Sequence, residues 1–113
     1  MSSLNPEQII APTVLTTAAA FLYTVPVNTV TVVRRLTFCN TTAVARTFTV
    51  YYTPSGGAVD ATTMLINAER LGPTRTVAPP ELEGLVLEAG DQIWIKADAN
   101  SAITVMGAAT EIA

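Results

Sequence analysis

Histidine is absent from this chain of 113 residues, and cysteine occurs once, at Cys39. The first absence removes the commonest general base and the commonest zinc ligand, and with them most hydrolytic mechanisms. The second excludes an intrachain disulfide framework. Charge is also scarce: charged residues make up 13% of the chain, against roughly 25% in an average soluble domain. The net charge of −3 comes with no basic tract, so nothing drives sequence-independent binding to phosphate backbones and no nucleic-acid partner is expected. The stretch 8–33 is uncharged, but Pro12, Pro26, Asn28 and many threonines interrupt it. A membrane helix needs about 20 predominantly apolar residues, so no membrane partner is expected either. The start, Met1 to Glu7, lacks the basic and apolar regions of a secretory signal, and a protein that is soluble when made is expected.

What is present is apolar. Hydrophobic residues make up 50% of the chain, which excludes intrinsic disorder, and the length suits one domain with one core. A surface this poor in charge must be threonine, alanine, serine and apolar atoms, and such surfaces tend to be covered by a partner. The few charges come in blocks. Before Arg34 there is only Glu7; Arg34, Arg35, Arg46, Arg70 and Arg75 then outweigh Asp60 and Glu69. Beyond them Glu81, Glu83, Glu88, Asp91, Asp98 and Glu111 face Lys96 alone. This split would steer like subunits head to tail unless folding intermixes the blocks.

Residues 1–17 read as an extended arm in which Ile9, Ile10, Val14 and Leu15 can dock on a core or a neighbour. Residues 18–113 read as strands. The pattern predicts strands over 21–25, 30–40, 46–53, 92–97 and 102–106, with shorter extended pieces at 64–66, 74–77 and 85–87. The Val32-Val33 doublet predicts a bulge or burial on both faces. Residues 40–45 read as a hairpin connection, and Pro54-Ser55-Gly56-Gly57 as a turn. Short strands separated by such turns predict an all-β fold, a single antiparallel β-sandwich of jelly-roll-like type.

Sites are few. Glu81 and Glu83 share a face if their segment is extended, and Glu88 and Asp91 flank a turn; solvation and salt bridging explain these acids better than glycoside chemistry does. Asp91, Asp98 and Asn100 carry hard oxygen ligands without calcium-loop spacing, so no metal is expected. Cys39 has no activating base and reads as a quiet thiol. No catalytic or cofactor-binding residue is expected. Tyr51, Tyr52 and Trp94 remain. Tyr51 and Trp94 fall on the faces opposite the core residues of their strands, as an exposed interface or as a platform for sugar rings.

The runs Leu36 to Ala43, Arg46 to Val50, Pro54 to Gly57 and Leu87 to Asp91 resemble small β-rich virion proteins of tailed bacteriophages, the accessory proteins of heads, necks and tail fibres. The resemblance covers roughly residues 18 to 112 in layout. It implies a structural, non-enzymatic component of the virion, made in the bacterial host and self-associating, with a trimer preferred. Its partners would be copies of itself and major capsid or tail proteins, with the arm as anchor. A head decoration (cement) protein and a fibre piece are both compatible. The alternative is a carbohydrate- or receptor-binding module using Tyr51, Tyr52 and Trp94.

Overall fold

The computed structural model describes residues 4–112 and is all-β, with two antiparallel sheets packed face to face. The strands are β1 (Leu4–Val14), β2 (Ala20–Thr24), β3 (Val30–Asn40), β4 (Arg46–Thr53), β5 (Met64–Leu71), β6 (Thr76–Val77), β7 (Val86–Leu87), β8 (Gln92–Ala97) and β9 (Ile103–Ile112). The first sheet has the order β1-β9-β3-β6, with β7 also on β3, and the second has the order β2-β8-β4-β5. The pairs β1–β9, β2–β8, β3–β7 and β4–β5 nest one inside the next. They trace one long ribbon doubled back at the β4–β5 connection. Pairing of β3 with β9 and of β4 with β8 then rolls that ribbon into two sheets. This winding is a jelly roll.

Alternation in the strands decides which side chains form the core. On β3, Val33, Leu36 and Phe38 point inward; on β4, Phe48 and Val50 do; on β8, Ile93 and Ile95. Phe38 and Phe48 stack across the sheets with ring centroids 4.2 Å apart and planes 13° from parallel. Fully burying one such ring is worth about 1.5–3 kcal/mol, so this pair is a large apolar contribution to holding the sheets together.

Several expectations change on folding. The segment 40–45 is a crossover between the sheets and not a hairpin, because β3 lies in one sheet and β4 in the other. The bulge falls one residue after the valine doublet, where Arg34 is the extra residue between the pairs Val33↔Ala109 and Arg35↔Ala108. The strand begun at Met64 continues to Leu71 across a bulge at Asn67-Ala68, and the last strand runs on to Ile112. Residues 80–82 form a 3₁₀ turn, so Glu81 and Glu83 do not share a strand face. Within the segment 1–17, Leu4–Val14 forms the edge strand β1, and Ile10 and Leu15 are buried. Residues 1–3 lie outside the described residues.

Gly107 sits where β9 passes closest to β3. A methyl group there would collide with the Arg35 carbonyl oxygen and come within 2.7 Å of Leu36 Cδ2. Gly107 pairs with Leu36 just after the bulge, and at this approach only a residue without a side chain fits. Gly107→Ala should therefore lower stability by about 1–3 kcal/mol in urea unfolding, the range for overpacking. A change below about 0.5 kcal/mol would contradict the close approach.

Candidate functional site

Strand register sets a row of large side chains on the outer face of the second sheet. Phe21 of β2 lies opposite Trp94 of β8, Trp94 opposite Tyr51 of β4, and Tyr51 opposite Met64 of β5. Residues directly opposite in an antiparallel pair project to the same side, so the four form one stripe. Phe21 meets Trp94 edge to face at 5.9 Å and is itself 61% exposed. The Lys96 ammonium lies 5.9 Å from the centre of the Tyr51 ring, a cation–π contact that helps leave Tyr51 only 5% exposed. Trp94 Nε1 donates to Gln92 Oε1 at 3.1 Å, and Gln92 Nε2 donates to Thr24 Oγ1 at 2.9 Å. The indole is thereby held in one orientation. Beside this row lies a shallow cleft of about 270 Å³ lined by Thr47, Thr49, Asn67, Lys96 and Asp98.

Tyr52 does not join the row. It faces the other way and packs on the core. Its hydroxyl donates to Asp91 Oδ2 at 2.8 Å. That bond to a carboxylate, and then burial, push the phenol above its ordinary pKa. Of the three aromatic residues singled out in the sequence, folding brings together Tyr51 and Trp94 and adds Phe21. Tyr52 serves the interior.

The remaining acids are structural or scattered. Asp91, 5% exposed, accepts from Tyr52, from Glu88 N at 2.9 Å and from Ser55 N at 3.1 Å, and so ties together the turns at one end of the sandwich. Asp98 and Asn100 follow β8 whereas Asp91 precedes it, roughly 20 Å away along an extended strand, so these oxygens do not form one site. Among the described residues no group of acidic or cysteine side chains has metal-binding geometry. Cys39 is a free, partly buried thiol pairing with Thr104 and Thr76.

Several apolar side chains stand on the outer face of the first sheet. Val30 pairs with Ile112, Val32 with Val86, and Thr37 with Met106; Val30, Ile112, Met106 and the 57%-exposed Val86 all present apolar surface to solvent. Within the described part of β3 and β9, only Arg34 and Arg35 at the bulge bring charge to this face. At the β3–β4 end of the molecule stand Arg46, Arg70 and Arg75, and among the described residues none of them makes an ion pair.

No family model matches the chain, and no curated protein matches it. A structure of the Gt strain of infectious bursal disease virus is similar over 99% of this chain and 32% of its own, with 10% identity and a TM-score of 0.49. A crystal structure of the T13 IBDV viral particle is similar over 98% of this chain and 30% of its own, with 10% identity and a TM-score of 0.46. The chain thus spans about a third of each of these viral chains.

One further polar link joins the sheets. The Tyr23 hydroxyl on β2 donates to Glu111 of β9 and is 2.8 Å from Thr31 Oγ1 of β3. Burial, then the bond to Glu111, push its pKa to about 12 from 10.0. The folded state holds this proton more tightly than the unfolded state does. The link's contribution is therefore intact below pH 10 and is lost as the pH climbs towards about 12. Thermal melts of Tyr23→Phe should fall less steeply over that window than those of the parent. Parallel slopes would show that Tyr23 is not coupled to folding.

Proposed function

We propose that the chain is a non-enzymatic structural component of a tailed-phage virion, one that associates with copies of itself and docks on capsid or tail proteins. The observation that carries this reading is the outer face of the first sheet, where Val30, Val32, Val86, Met106 and Ile112 leave apolar surface uncovered. Burial of such surface is favourable at about 25 cal/mol per Å², which supports association. A jelly roll fits the role but does not dictate it, since the winding serves both capsid and lectin domains. A trimer is the preferred assembly. β1 (Leu4–Val14) is an edge strand of the first sheet, a position that suits contact with a neighbouring subunit. Within this role, head decoration and fibre attachment differ in consequence: a cement protein raises the heat resistance of mature heads, and a fibre piece blocks adsorption when added free.

The outer face of the second sheet favours a second reading, a module that binds carbohydrate or a host receptor. Phe21 and Trp94 expose ring surface beside the hydroxyl-lined cleft, a combination that suits a sugar's apolar face and its hydroxyls. If that reading holds, Trp94→Ala folds normally and loses glycan binding; an array on which the parent binds nothing removes it.

Light scattering across a concentration series tests the leading reading. The expected result is a stable oligomer, with three times the 11.9 kDa chain mass as the preferred value. A single-chain mass at every concentration would contradict it.

A further inference from the structure

We propose that the arginine-lined cleft at the β3–β4 end binds the glutamates of the 81–88 strap on a second copy of this chain, so that subunits associate head to tail. The proposal deepens the self-association reading and rests on it. Arg70 and Arg75 stand on either side of Gly72 at a cleft of about 390 Å³ whose apolar lining includes Leu71, Pro73 and Val77. A methyl group on Gly72 would lie 3.3 Å from Arg75 Cγ and 4.0 Å from Arg70 Nη1, so the glycine keeps the space between the two stems open. Arg70 and Arg75 are both exposed at the cleft, and carboxylates are the acceptors that match their guanidinium forks.

The complementary surface lies on the same molecule, where its glutamates make no ion pair with Arg70 or Arg75. Glu81, Glu83 and Glu88 are exposed along a strap fixed near the start of β3, where Gly84 N donates to Val33 O at 2.8 Å and Val33 N donates to Leu85 O at 2.9 Å. Between them Val86 projects beside Val32, close to Val30 and Ile112. The strap thus sets an exposed valine among glutamates, and the cleft sets Leu71, Pro73 and Val77 among arginines. Such a pair has the core-and-rim composition of a protein interface, with opposite charges to set its register. β7 pairs near the start of β3, at Val32, and β6 near its end, at Cys39. That separation is about 23 Å of extended strand, so the Val86 end of the strap stands well away from the cleft within one chain. The contact is heterologous: it closes into a ring if the rotation permits and runs on as a filament if it does not.

Charge reversal tests this at low ionic strength, with native mass read by light scattering and folding checked by circular dichroism. The variants are Arg70→Glu/Arg75→Glu and Glu81→Arg/Glu83→Arg; all four positions are exposed, so both proteins are expected to melt like the parent. Each variant alone should fall to the mass of one chain, and an equimolar mixture should recover assembly, because the two reversed surfaces fit each other and the two unreversed ones still match. An oligomeric parent with either variant keeping the parental mass, or with a mixture that stays monomeric, would overturn the cleft-to-strap contact alone. A parent that is itself monomeric would overturn the self-association reading and this contact with it.

Discussion

The buried amide of Asn40 is the constraint on which the rest of the architecture depends. It stands at the last position of β3, fully buried, where the chain must leave one sheet and enter the other. Its Nδ2 donates to the carbonyls of Val44, Leu71 and Gly72 at 2.8, 3.1 and 3.1 Å, and its Oδ1 accepts from Thr42 N at 2.9 Å and Thr42 Oγ1 at 2.7 Å. One side chain therefore satisfies the crossover loop and the end of β5 together. Buried carbonyls without donors are expensive, and no apolar residue of this size supplies them. Asp91 has the matching task at the opposite end, and Tyr23 links the sheets through Glu111 and Thr31. The apolar core is thus bounded by Asn40 at one end and Asp91 at the other, with the Tyr23 link between the sheets.

This arrangement explains where the surface chemistry falls. The Asn40 end carries Arg46, Arg70 and Arg75, because β4 begins there and β5 returns there. The strap with Glu81, Glu83 and Glu88 runs beside β3, where β7 pairs with it. Folding keeps Arg46, Arg70 and Arg75 apart from the strap glutamates but mixes the blocks elsewhere: Arg34 and Arg35 follow Val33, to which the strap is bonded, and Asp98 N donates to Thr47 O beside Arg46. Apolar residues that the two inner faces do not use remain on the outer faces, and so the low charge of the composition becomes a property of surfaces that invite a partner.

Strict alternation made much of the fold legible. Val30–Asn40, Arg46–Thr53 and Gln92–Ala97 have the boundaries that period-two patterning predicts, and Tyr51 and Trp94 lie on the non-core side of their strands, as alternation requires. Other features could not be read. Turn chemistry at 40–45 marks a reversal but does not say which sheet receives the next strand. The bulge at Asn67-Ala68, with Ala68 at a φ of +49°, breaks the alternation and hides the second half of β5. Phe21 becomes part of the aromatic row only through the pairing of β2 with β8, which no local pattern announces. The roles of Tyr52 and Asn40 depend on groups far away in sequence, and distance along the chain conceals them.

Equilibrium unfolding of Asn40→Ala in urea tests the account most directly. Removing the amide takes the donor from the buried Leu71 carbonyl and the acceptor from Thr42 N, so the account predicts a loss of at least about 1 kcal/mol, since each unsatisfied buried group costs about 1–3 kcal/mol. A variant within about 0.5 kcal/mol of the parent, the range of an ordinary surface change, would contradict the claim that this amide holds the two sheets in their relation.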